Sequence, residues 1–177
     1  MDEATHERTL APSPFPGDDG TADPQLRAAL AATESGDSSA YLSAVVQLCT
    51  ARLLVPIAAT ATSEAAVHST GPVERLLTVD KEADMAVVMM QAPDGRTALL
   101  AFTGMDSQAN WDDTTRPVPV TLDRVAQTAR QQGASAVVVD IAGPHTLVLE
   151  GEVLAALAQG HRLVEVDDGF GWMQALE

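Results

Sequence analysis

Thr97-Ala-Leu-Leu-Ala-Phe-Thr-Gly104 decides the fold when it is read with Met85-Ala-Val-Val-Met-Met90 before it and Ala136-Val-Val-Val139 after it. The first two strand-like runs flank Pro93-Asp94-Gly95. Proline presets one turn dihedral there and glycine accepts a positive φ, so a β-hairpin is expected. The third run is apolar without alternation, the pattern of a strand covered on both faces. Between them, Val118-Pro-Val120 reads as a short strand. Thr121 reads as the N-cap of a helix whose buried face is Leu122, Val125, Ala126 and Ala129 and whose end is Gly133. A strand, a helix and a second strand make a right-handed βαβ unit of Val118–Val120 and Ala136–Val139. The expected class is therefore α/β of the mixed, α+β kind, with a mixed sheet and helices on its surface.

Upstream, Asp23-Pro24 has the form of an N-cap followed by proline at the first helical position, and Leu26, Ala29 and Leu30 share one face up to Gly36. A second helix starts at Asp37 to Ser39, and Tyr41, Leu42, Val45, Val46, Leu48 and Cys49 give it a wide apolar stripe. Arg52–Ile57 is strand-like, with Pro56 favouring a sheet edge or a strand end. Residues 1–22 are acidic and poor in apolar groups, so they read as a disordered tail, leaving 23–177 as one domain. Within that domain, 59–84 reads as a long variable loop with a short ordered piece at Leu76–Val79. Met105–Pro117 reads as a polar stretch. Downstream come a strand at Thr146–Leu149, a helix from Glu150 to Ala158 and a last strand at Arg162–Val166. Asp167–Trp172 is expected to be an ordered turn.

The chain has 177 residues, ten Lys+Arg and twenty-five Asp+Glu, for a formal charge of -15. Such a surface repels phosphate backbones and anionic lipid, which argues against nucleic-acid and membrane partners. A single cysteine, Cys49, forbids an intramolecular disulfide or a multi-thiolate zinc site. The N-terminus lacks a signal-peptide pattern and no run is long and apolar enough to span a bilayer, so a cytoplasmic protein is expected.

The residues also carry a recognisable order. Leu54-Val55-Pro56 is followed by a variable loop, a hairpin ending Ala101-Phe102-Thr103, Trp111, Val118-Pro119-Val120, a helix, Gly133-Ala134 and a strand ending Val139-Asp140. This order resembles the SseB N-terminal domain family, in the short form of high-GC Gram-positive bacteria, over roughly residues 40–160. The resemblance implies a compact α/β domain with no assigned catalytic motif.

No Gly-x-Ser-x-Gly elbow or phosphate-cradling glycine loop is present, and the four histidines at 6, 68, 145 and 161 have no metal-ligand spacing. No catalytic residue, metal or cofactor is therefore expected, and Cys49 on an apolar stripe should be an inert thiol. Trp111 lies among Asp106, Asn110, Asp112 and Asp113. An exposed tryptophan ringed by acids would anchor a basic protein surface, whereas a buried one would fold its segment onto the sheet, and the sequence leaves both open. Asp140 and His145, at the carboxyl end of a strand, are where an open sheet would place a ligand, with a solvated turn as the plainer reading. Glu150, Glu152, Glu165, Asp167 and Asp168 read as a solvated acidic face. The function expected is a non-enzymatic adaptor or regulator that binds a protein through Trp111, Asp106, Asp112 and Asp113. The rival is an enzyme or small-molecule sensor at Asp140 and His145. A homo-oligomer formed through a sheet edge is the third reading.

Overall fold

The computed structural model describes residues 15–59, 74–79 and 85–174. Two helices open the fold. In α1 (Pro24–Ala32) the Asp23 carboxylate accepts from the Gln25 N–H at 2.8 Å, and in α2 (Ser38–Thr50) Asp37 does the same for Ser39 at 3.1 Å. Each cap satisfies a donor that the first helical turn leaves unpaired. The strands that follow are β1 (Leu53–Ala59), β2 (Glu74–Val79), β3 (Met85–Gln91) and β4 (Thr97–Ala101). Then come α3 (Met105–Asp112), β5 (Arg116–Val120), α4 (Leu122–Gln131), β6 (Ala136–Val139), β7 (Leu147–Glu150) and α5 (Gly151–Ala158). The last two elements are β8 (His161–Val166) and β9 (Gly169–Gln174). The result is an α+β fold.

The main sheet runs β5-β1-β3-β4-β6-β7, with β2 paired to β3, and β8 and β9 form a separate two-stranded sheet. The β3–β4 hairpin forms as expected. Gln91 stands opposite Thr97, Gly95 has a φ of 85°, and the Ala92 N–H donates to the Arg96 carbonyl at 2.8 Å.

Four differences from the sequence reading have physical causes. First, the parallel partner of β6 is β4, with Ala98 opposite Ala136 and Ala101 opposite Val139, so the crossover passes through α3, β5 and α4. The strand β5 lies at the far edge, where Pro117 and Pro119 cost no ladder bond. Second, Pro56 sits in an interior strand. Leu54, two residues earlier, exchanges both backbone bonds with Phe102, so the Pro56 nitrogen faces the same side, where the β1–β3 register starts only at Ile57. Third, the polar stretch 105–117 contains α3. Fourth, Asp167–Trp172 is not a terminal turn but the turn and strand of a hairpin, closed by Val166 opposite Gly169.

Of the expected tail, residues 1–14 lie outside the described residues, while 15–22 are described and bond to the domain. Of the expected loop, 60–73 and 80–84 lie outside, and Glu74–Val79 pairs with β3 over its length. Among the described residues no helix is long and apolar enough to cross a membrane.

One sheet face buries Leu53, Val55, Met89, Leu99, Ala101, Val137, Val139, Leu147 and Leu149 against α1, α2, α4 and α5. The opposite face has a smaller cluster of Leu54, Leu100 and Phe102, with Met90, Trp111, Val138 and Ile141 half-buried around it. Cys49 is buried on α2, and burial pushes its thiol pKa up. In the native protein at pH 8, a disulfide reagent should therefore modify Cys49 at least tenfold more slowly than in denaturant. The inward residue of the terminal hairpin is Leu163, 3% exposed. Leu163→Ala should cost about 2–4 kcal/mol in urea unfolding and raise the native-state Cys49 rate.

Candidate functional site

At the carboxyl ends of the parallel strands β4 and β6 the chain places Thr103 and Asp140 side by side. Asp140 is 0% exposed and has a φ of 54°, a left-handed conformation that aspartate tolerates better than most side chains. Its Oδ1 accepts from the Thr103 N–H at 2.8 Å and from the Ser107 hydroxyl at 2.6 Å. Its Oδ2 accepts from the Thr103 hydroxyl at 2.5 Å and lies 3.5 Å from Arg27 Nε. Gly143 lets the next turn approach, since a Cβ there would stand 2.8 Å from Asp140 Cβ. The Asp140 backbone carbonyl accepts from the Gly143 N–H and from the Thr146 hydroxyl.

This carboxylate sits at the start of α3, whose N-cap, Gly104, has no side chain to offer. A negative group is favoured there by the helix dipole, and Asp140 supplies it from across the sheet. Ser107, itself fully buried, and Gln108, 3% exposed, belong to the buried face of α3. Gln108 Nε2 donates to Thr115 Oγ1 at 3.1 Å and ties the middle of the helix to the residue just before β5.

Two arginines close the arrangement. Arg27 of α1 donates from Nε to Thr103 Oγ1 at 2.8 Å and from Nη2 to Asp106 Oδ1 at 2.7 Å. The Arg27 hydrogen bond holds the Asp106 carboxyl below its ordinary pKa. Arg52 donates from Nη1 to the Thr103 carbonyl at 2.8 Å and from Nη2 to the Thr21 carbonyl at 2.7 Å. Its Nη2 also lies 2.9 Å from Asp18 Oδ1. The Gly20 carbonyl accepts from the Met105 N–H, so residues 18–21 strap across the beginning of α3.

The expected site residues are thus distributed as follows. Asp140 faces inward, with its oxygens taken by Thr103 and Ser107. The His145 Nδ1 is 2.7 Å from Glu34 Oε1, and among the described residues it shares no hydrogen bond or ion pair with Asp140. Asp106 pairs with Arg27, Asp112 Oδ1 accepts from the Thr114 N–H and hydroxyl, and Asp113 is exposed. Trp111 is half-buried, its ring centroid 5.6 Å from that of Phe102 at 33° between planes. Sequence reasoning missed Arg27, Arg52, Thr103 and Ser107. The only local signal was the Thr-Gly pair after β4. Among the described residues no group of acids, histidines and cysteine is arranged to hold a metal ion.

The family profile described as SseB protein N-terminal domain matches residues 26–156. The chain belongs to the SseB N-terminal domain family. That span runs from α1 to α5 and takes in Arg27, Thr103, Ser107 and Asp140, while β8, β9 and the strap at 18–21 lie outside it. No match was found among curated proteins or among solved structures.

Asp140→Ala should cost about 3–5 kcal/mol, because it strands the Thr103 N–H and sets alanine at a positive φ. Asp140→Asn, which keeps both a carbonyl acceptor and tolerance of that φ, should cost less. Urea denaturation of the two variants checks the order. For Asp106 the folded pKa is depressed, so its contribution is present above the unfolded value of about 4 and is lost as pH falls through the folded value. The melting-temperature gap between wild type and Asp106→Asn should therefore be present at pH 6 and shrink as the pH falls below the unfolded value of about 4. The exposed carboxylate keeps this effect small.

Proposed function

We propose that this protein is a non-enzymatic cytoplasmic adaptor or regulator that binds another protein through α3 and the sheet face beside it. The observation that carries the reading is the surroundings of Trp111. The half-buried indole has apolar, half-buried Met90, Val138 and Ile141 around the same small cluster, and Val148 at the sheet edge is 42% exposed. Asp106 and Asp113 add exposed carboxylates to the same helix and the turn after it. An apolar patch with an acidic rim suits a partner whose contact surface is apolar at the centre and basic around it. Complementary charge of this kind speeds encounter, while the indole supplies residence time. The inward-facing Asp140 fits this reading better than it fits a ligand site, because a carboxylate already holding three donors has little left to offer a substrate.

A photo-crosslinking residue at position 113, introduced in the native host, tests the proposal. It should yield a discrete protein adduct that salt weakens and Trp111→Ala removes. The half-buried position of Trp111 implies that Trp111→Ala also lowers stability by about 1–3 kcal/mol, less than a full core truncation. Trp111→Leu keeps most of the packing and should lose the adduct with a smaller drop in melting temperature. An adduct that survives both substitutions would exclude this face.

A further inference from the structure

The two ends of the main sheet are unlike. At one end, β5 carries Pro117 and Pro119, which have no N–H to offer an incoming strand. At the other, β7 has neither proline nor lysine among Leu147-Val-Leu-Glu150. Its inward ladder to β6 sets Val138 opposite Val148. The Val148 carbonyl accepts from the Tyr41 hydroxyl at 3.2 Å, so it points away from β6. In an antiparallel ladder, the backbone groups of alternate residues point to opposite sides. Leu147 and Leu149 therefore serve β6, and Val148 serves the edge.

Alongside this edge runs a groove of about 470 Å³, walled by Thr33, Asp37, Ser38, Tyr41 and Leu42 on one side and Thr146–Val148 on the other. Its surroundings are acidic. The Glu34 side chain is 67% exposed, Glu150 is 60% exposed and Asp37 lines the wall. Among the described residues the basic side chains paired with these acids are His145, on Glu34, and Arg96, 4.0 Å from Glu150.

We propose that the edge of β7, unpaired among the described residues, receives an extended, basic segment of a partner protein, which adds as a strand and takes the Val148 carbonyl from the Tyr41 hydroxyl. Main-chain pairing needs no particular side-chain sequence, and the groove takes every second side chain of the added strand. Basic chemistry follows from Glu34, Asp37 and Glu150, and the charge of -15 disfavours a second copy of this chain as the occupant. Burial and the nearby Glu150 raise the Tyr41 pKa, so the phenol stays a donor at neutral pH and holds the carbonyl until a backbone N–H replaces it. The inference rests on the protein-binding reading but not on Trp111, which lies on α3.

Titration of the full-length, isotope-labelled protein with an acetylated, amidated peptide of four Lys-Val repeats tests it. Shift changes and new amide protection should centre on residues 146–150. Tyr41→Phe should tighten binding by about fivefold, the equivalent of about one hydrogen bond no longer to be displaced. N-methylation of alternate peptide nitrogens in one of the two registers should abolish the effect, while the protein itself is unchanged. Trp111→Ala should leave the affinity within twofold, so that loss of one site is distinguishable from loss of the other. Shifts spread over the acidic surface, binding insensitive to N-methylation, or no binding at millimolar peptide would each overturn the proposal. So would a dimer whose formation competes with the peptide.

Discussion

The buried carboxylate of Asp140 is the constraint on which the centre of the molecule depends. Taking a charge out of water is expensive unless its oxygens are met, and here they are met by a backbone N–H, two hydroxyls and a nearby guanidinium. Those donors come from two places far apart in sequence. Thr103 follows β4 and Ser107 lies four residues on in α3, whereas Arg27 lies in α1. Satisfying one carboxylate therefore fixes where the first helix lies, where the third begins, and how the ends of the two parallel strands are joined. It also fills the place at the strand ends that open sheets often leave to a ligand. The polar centre of this fold is spent on holding itself together.

Much of the architecture was legible because it is written locally. Pro93-Asp94-Gly95 dictates its hairpin, and Leu122, Val125, Ala126 and Ala129 dictate the buried face of α4. What was illegible has one cause in each case. The helix α3 buries Ser107 and Gln108, so it has no apolar period to detect. The strand β9 opens Gly-Phe-Gly-Trp, whose glycines suggest a turn until β8 supplies a partner. Residues 15–22 offer few apolar side chains, and the bonds that hold them use the carbonyls of Gly20 and Thr21. Composition does not report on those groups.

The site was half legible. Asp140 is legible as a polar residue after an apolar strand, while His145, near it in sequence, bonds to Glu34. Spatial neighbours decide chemistry, and those of Asp140 are 33 and 37 residues away in Ser107 and Thr103. The sequence leaves Trp111 between two roles, and the fold places it half-buried. Its ring meets Phe102 on one side and keeps part of its surface in solvent.

The strap at residues 18–21 separates two notions of where this domain begins. Sequence similarity starts at Leu26, inside α1. The folding unit starts earlier, because Arg52 spends its guanidinium on Asp18, on the Thr21 carbonyl and on the Thr103 carbonyl together. A chain cut at the similarity boundary would keep the whole matched span and would lose the acceptors for half of that guanidinium. It would also uncover the Met105 N–H that Gly20 now covers. A boundary drawn from common ancestry and one drawn from satisfied hydrogen bonds need not coincide, and in this fold the second is the wider.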